Sequence, residues 1–190
     1  MTTSSETLNA PMPDNIALDM TSGGLTLTYR WFSVKYIFLA AFCVVWDGFL
    51  AFWYYTAFTT DAPLMMVLFP VLHLAVGVFL TYSTLAGFVN KTVVTVSNGT
   101  ISIFHGPLPW FGSKTIPAHS ITQLYVEDRV HRSSKGGTSV TYRLSAITTE
   151  NKKIKLISTI DSHDTALYLE QEVERHLGLR DQKVPGEMQK

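Results

Sequence analysis

The chain has 190 residues, 46% of them apolar, with fifteen basic and fifteen acidic side chains and a single cysteine. The cancelled charge offers no global field for nucleic acid or a strongly acidic partner, and one cysteine excludes an intramolecular disulfide or a cysteine-based metal site within the chain. Such a length holds one compact soluble domain beside whatever the apolar first half forms.

Residues 1–23 are rich in Thr, Ser, Pro, Asn and Gly and read as a flexible or surface-draped lead-in. They are not a signal peptide: the first fifteen carry Glu6 and Asp14, no basic residue, and no short apolar core follows directly. Within residues 24–30 the segment Leu25, Thr26, Leu27, Thr28, Tyr29 alternates apolar and polar, a strand signal. A lone strand is unstable, so it is expected to join a sheet formed later in the chain.

Residues 33–90 contain two apolar runs, 36–58 and 63–89, separated by Thr59, Thr60, Asp61 and Ala62. Each is long enough to cross a bilayer core of about 30 Å as a helix. The short connection makes them an antiparallel transmembrane hairpin. Arg30 and Lys35 precede the first run and Lys91 follows the second, whereas the connection carries only Asp61. The positive-inside rule then puts both termini in the cytoplasm, in a multi-pass protein of the cytoplasmic (inner) membrane. Trp31, Phe32 and Tyr36 at one end, and Trp53 with its neighbours toward the other, suit the membrane interface.

Asp47 and His73 stand at nearly equal separations from the turn, so a regular hairpin places both near mid-depth. An ionisable residue there costs about 2.5–3.5 kcal/mol on insertion scales and therefore has a partner or a task. The pair serves either as a structural or assembly lock or in proton or ligand handling. Cys43, Asp47 and Ala51 form a four-spaced small or polar face on the first helix, and Gly77 follows His73 by four on the second, suited to close helix packing. Pro70 removes a backbone hydrogen bond and crowds the carbonyl of Met66, predicting a kink.

Residues 91–179 change character to short β-rich stretches at 92–97, 100–104, 113–116, 121–127, 140–147 and 153–159. Asn98-Gly99 between the first two suits a type I′ turn. Residues 128–138 read as a long polar loop in which Arg129, Arg132 and Lys135 either meet lipid head groups or form a solvated tip. Trp110 and Phe111, in a Pro- and Gly-rich stretch, either dip into the membrane interface or pack on the sheet. A final helix over 162–177 is capped by Asp161 or Ser162 and stopped by Gly178, with Ala166, Leu169, Val173 and Leu177 as its apolar stripe. Residues 180–190 form a polar tail.

Asn90-Lys91-Thr92, Asn98-Gly99, Gly106-Pro107-Leu108-Pro109-Trp110, Ile121 and Leu124 carry a resemblance to bacterial membrane-anchored PH-like domain proteins, over residues 24–178. The resemblance implies a membrane helical hairpin plus an α+β PH-like domain, an antiparallel curved sheet closed by its C-terminal helix. It also implies a binding or scaffolding role at the inner membrane face; Asp47 and His73 belong to this chain and are not carried over from it. The sequence shows no nucleophile elbow, phosphate loop or metal motif. The expectation is a non-enzymatic accessory or scaffold subunit without cofactor. Its partners would be membrane lipids and other membrane subunits or a second copy of itself, with no nucleic acid.

Overall fold

The structure is a computed structural model in which residues 11–21, 23–60, 62–132 and 136–179 are described. The chain divides into two compact units. One is a β unit drawn from Met1–Arg30, Lys91–His105 and Pro109–Lys190, and the other a helical unit comprising Trp31–Asn90 with Gly106–Leu108.

In the β unit, β1 (Ile16–Thr21), β2 (Gly24–Arg30), β3 (Lys91–Ser97), β4 (Thr100–Gly106) and β5 (Lys114–Pro117) make one sheet in that order. A second sheet holds β6 (Ile121–Arg132), β7 (Thr138–Thr148) and β8 (Lys153–Ile160). The alternation in β2 does what its period requires: Leu25, Leu27 and Tyr29 are buried while the residues between them are not. Asn98 and Gly99 both take positive φ between β3 and β4, as a type I′ turn demands. The C-terminal helix, His163–Leu177, starts at Ser162, whose side chain accepts from the Thr165 amide, and ends at Gly178 in the left-handed region. It packs against β2, β6, β7 and β8, and its Ala166, Leu169 and Val173 are buried with Leu124, Val126, Leu144 and Ile157. Tyr29 donates its hydroxyl to the Thr159 carbonyl at 3.4 Å, joining the two sheets.

Two expectations change here. The described part of the lead-in is not loose: β1 pairs antiparallel with β2 from Ile16↔Tyr29 to Thr21↔Gly24. Its alternation of Ile16, Leu18 and Met20 is the signal, obscured because only Ile16 is buried on this edge strand. The described residues of the polar loop at 128–138 are mostly strand, since β6 and β7 pair out to Arg132↔Thr138. The Val130↔Val140 pair and the His131–Thr141 contact supply cross-strand packing that outweighs the polar composition. Arg129 and Arg132 are therefore strand residues, and Lys135 lies outside the described residues, as do residues 1–10, Asp61 and 180–190.

In the helical unit α1 (Lys35–Thr59) is followed by the short α2 (Leu64–Leu68) and by α3 (Val71–Val89). By length and composition, Lys35–Thr59 and Leu64–Val89 are each able to cross a membrane, and little of either is buried. The break between α2 and α3 falls at Phe69 and Pro70, where proline cannot donate to the carbonyl four residues back. In the first sheet β2 and β3 are adjacent, and their register ends on Arg30↔Lys91. The 60 residues between these positions are thus an insertion into a β-hairpin, leaving and re-entering the sheet on the same rung.

Candidate functional site: the polar seam of the hairpin

Where α1 and α3 face each other, polar side chains recur along the contact. Cys43 Sγ and Thr84 Oγ1 lie 3.5 Å apart and are both buried. Thr81 donates its hydroxyl to Asp47 Oδ2 at 2.6 Å, the length of a strong hydrogen bond to a carboxylate. Gly77 makes room for that carboxylate, since a Cβ there would stand 2.8 Å from Asp47 Oδ1 and 3.1 Å from the Trp46 ring.

Three aromatic groups of α1 supply donors to carbonyls around the break. Trp53 Nε1 donates to the Met66 carbonyl at 2.9 Å, the acceptor that Pro70 leaves without its helical donor. Tyr54 donates to the Val67 carbonyl at 3.3 Å, and Trp46 Nε1 to the His73 carbonyl at 3.3 Å. In an apolar solvent each unmet backbone group costs several kcal/mol, so these contacts make the broken helix tolerable.

Asp47 and His73 are not joined by a hydrogen bond or ion pair among the described residues. His73 meets Trp46, the residue beside Asp47, so the two stand at similar depth, but the Asp47 carboxylate turns to Gly77 and Thr81 instead. The His73 ring stacks on Trp46 with centroids 5.9 Å apart and lies 5.5 Å from Phe69; its Nδ1 is buried with no hydrogen-bond partner.

Of the other packing candidates, Cys43, Gly77 and Pro70 are buried, but Ala51 is exposed. The buried stripe on α1 runs Cys43, Leu50, Ala57, repeating at seven rather than four, as in left-handed helix pairs. Tyr36, expected at the interface, lies over Gly87, where a Cβ would overlap its ring. Trp31 donates its amide to the Asn90 carbonyl at 3.2 Å. Trp110 is half-buried, whereas Phe111 is 88% exposed.

Thr81, Thr84, Trp46 and Asn90 are the contributors that composition did not single out. Gly77, Thr81 and Thr84 follow His73 at helical spacing, which is a usable signal. Asn90 is buried and exchanges two hydrogen bonds with the Leu108 backbone, accepting from its amide at 2.8 Å and donating to its carbonyl at 3.0 Å. No spacing rule foretells that contact.

In the β unit His105 is 7% exposed, shares a 2.8 Å hydrogen bond with Thr92 through Nδ1, and takes the Ser113 hydroxyl as acceptor for its amide. Burial, with the Lys114 charge adding to it, pulls its pKa below the ordinary value of 6.5.

Comparison with protein-family models and with curated proteins gives no match.

Proposed function

We propose that the chain is a non-enzymatic accessory or scaffold subunit anchored in the cytoplasmic membrane by its helical hairpin. Its β unit, in this reading, is a PH-like domain on the cytoplasmic side that binds a protein partner or lipid. The observation that carries the reading is the Arg30↔Lys91 rung: an apolar hairpin inserted there returns the chain to its starting face, as an anchor must. The positive charges of Arg30, Lys35 and Lys91 support a cytoplasmic setting for that face. Two antiparallel sheets followed by a single packed helix support the PH-like reading. The Asp47 carboxylate is held by Thr81 within the hairpin, which favours packing over chemistry.

A second reading, intramembrane proton or ligand handling through Asp47 and His73, draws on the unmet Nδ1 of His73. Extraction in mild detergent followed by mass spectrometry tests the first reading. A stoichiometric membrane partner is expected, and a lone chain sinks it. Asp47→Asn and His73→Gln are expected to weaken assembly. Loss of a transport or ligand-binding activity with assembly intact would favour the second reading instead.

A further inference from the structure

Among the described residues the sheets of the β unit end on β1, β5, β6 and β8. An open strand edge invites pairing with another chain, and proteins usually blunt it. β5 is short and ends on Pro117. Lys114 of β5 donates its ammonium to the Lys155 carbonyl on β8. On β6 the Leu124 amide donates to Glu174 Oε1 of the C-terminal helix at 3.3 Å. β1 carries no such guard: it has no proline and no lysine, and no bulge interrupts its register from Ile16↔Tyr29 to Thr21↔Gly24.

The ladder also fixes which backbone groups point outward. Arg30 donates its amide to the Asn15 carbonyl at 3.1 Å, which makes Asn15 and Arg30 a hydrogen-bonded pair. Such pairs alternate along an antiparallel ladder, so Ala17, Asp19 and Thr21 turn their amides and carbonyls to β2 while Ile16, Leu18 and Met20 turn theirs away. Of that outer row, only the Ile16 amide is met among the described residues, by the Pro13 carbonyl at 3.0 Å. The side chains of the same three residues continue the core layer, opposite Tyr29, Leu27 and Leu25. Burial runs out along this row: Ile16 is buried, whereas Met20 is 59% exposed.

We propose that β1 pairs antiparallel with β1 of a second copy of the chain, with Leu18 on the two-fold axis. Leu18 exchanges amide and carbonyl with its own counterpart, and each Met20 amide donates to the Ile16 carbonyl of the other copy. Ile16 then lies opposite Met20, which carries the apolar layer across the axis. Asp19 lies opposite Ala17, so no like charges face each other directly. The residue types are symmetric about Leu18, with apolar side chains two positions to either side and alanine and aspartate next to it. That symmetry is what a strand needs to pair with itself, and it selects a second copy over an unrelated strand. An axis along the bilayer normal lets both hairpins enter one membrane. The inference goes beyond the accessory-subunit reading and does not depend on it: a homodimer with no other subunit would sink that reading and leave this one standing.

The test is oxidative crosslinking of the full chain in mild detergent, with the unmodified chain as control because Cys43 is buried. Facing residues of a non-hydrogen-bonded pair stand about 4.5 Å apart at Cα, within disulfide reach, whereas diagonal neighbours at about 7–8 Å are not. Ala17→Cys copies mixed with Asp19→Cys copies should therefore crosslink several-fold more than either variant alone, and Leu18→Cys should crosslink to itself. Leu18→Pro removes a donor that β2 does not use, and should weaken dimerisation of the otherwise unmodified chain roughly tenfold or more by sedimentation, since both copies lose that amide. Met20→Lys places a charge on an exposed edge side chain and should also weaken it; should Leu18→Pro unfold the chain, Met20→Lys decides. Equal crosslinking in Ala17→Cys alone and in the mixture overturns the proposal, as does dimerisation untouched by Met20→Lys. So does a chain that stays monomeric at the highest concentration reached, even if a strand of another protein is then found on this edge.

Discussion

The two units place the same residue types in opposite positions. In the β unit Leu25, Leu124 and Leu169 are fully buried, whereas in the helical unit Phe38, Val44 and Phe52 are 74%, 75% and 69% exposed. Polar groups reverse as well: the helical seam buries Thr84 and holds Asp47 against Thr81, while the strands turn lysines outward. One half is built to hide apolar surface from water. The other keeps its apolar surface outside and internalises hydrogen-bonding groups, the arrangement an apolar solvent would call for.

The sharpest way to break that contrast is one kind of truncation made in both units. Leu169→Ala should lower the unfolding stability of the β unit by about 2–5 kcal/mol through lost burial and a cavity. Phe52→Ala should change hairpin stability in nanodiscs by less than about 0.5 kcal/mol, because its surroundings are as apolar as the side chain. Comparable losses at both sites, by denaturant titration, would mean that Phe52 is buried against protein.

A smaller effect is expected at Gly87, where the close helix approach leaves no space beside Tyr36. Gly87→Val should loosen the hairpin by about 1–3 kcal/mol, the usual cost of overpacking. Paired cysteine crosslinking between α1 and α3 near this level should fall, and unchanged crosslinking would contradict the seam.

The smallest effect is a pH response confined to the β unit. His105 binds its proton less readily folded than unfolded, so the unfolded chain holds more protons as pH drops below about 6.5. The stability contributed by neutral His105 is complete above that value and is lost as pH falls toward the folded pKa. His105→Gln should flatten this part of the stability profile between pH 7.5 and 5; an identical slope in the variant would remove His105 as its source.

Much of this was readable in advance, and the reasons are local. Two long apolar runs, a short connection, Asn98-Gly99, Ser162 and Gly178 each act through neighbours in sequence, so pattern and structure agree. Pro70 was equally legible as a break. What depth alone did not reveal was facing: Asp47 turns to Gly77 and Thr81, while His73 at a similar level stacks on Trp46. Ala51 failed for a related reason, since packed helices repeat at seven and a four-residue ladder drifts off the seam. The β1 strand and the long β6–β7 hairpin were hidden because edge strands and hairpin ends bury little.

The shared rung at Arg30 and Lys91 makes the hairpin removable in principle, like a handle bolted on through adjacent holes. A two-residue Asn-Gly link in place of residues 31–90 would close the same ladder with a type I′ turn. The remaining sheet would lose none of its β2–β3 pairs, so a water-soluble β domain should be obtainable from this chain by exchanging the hairpin for that link.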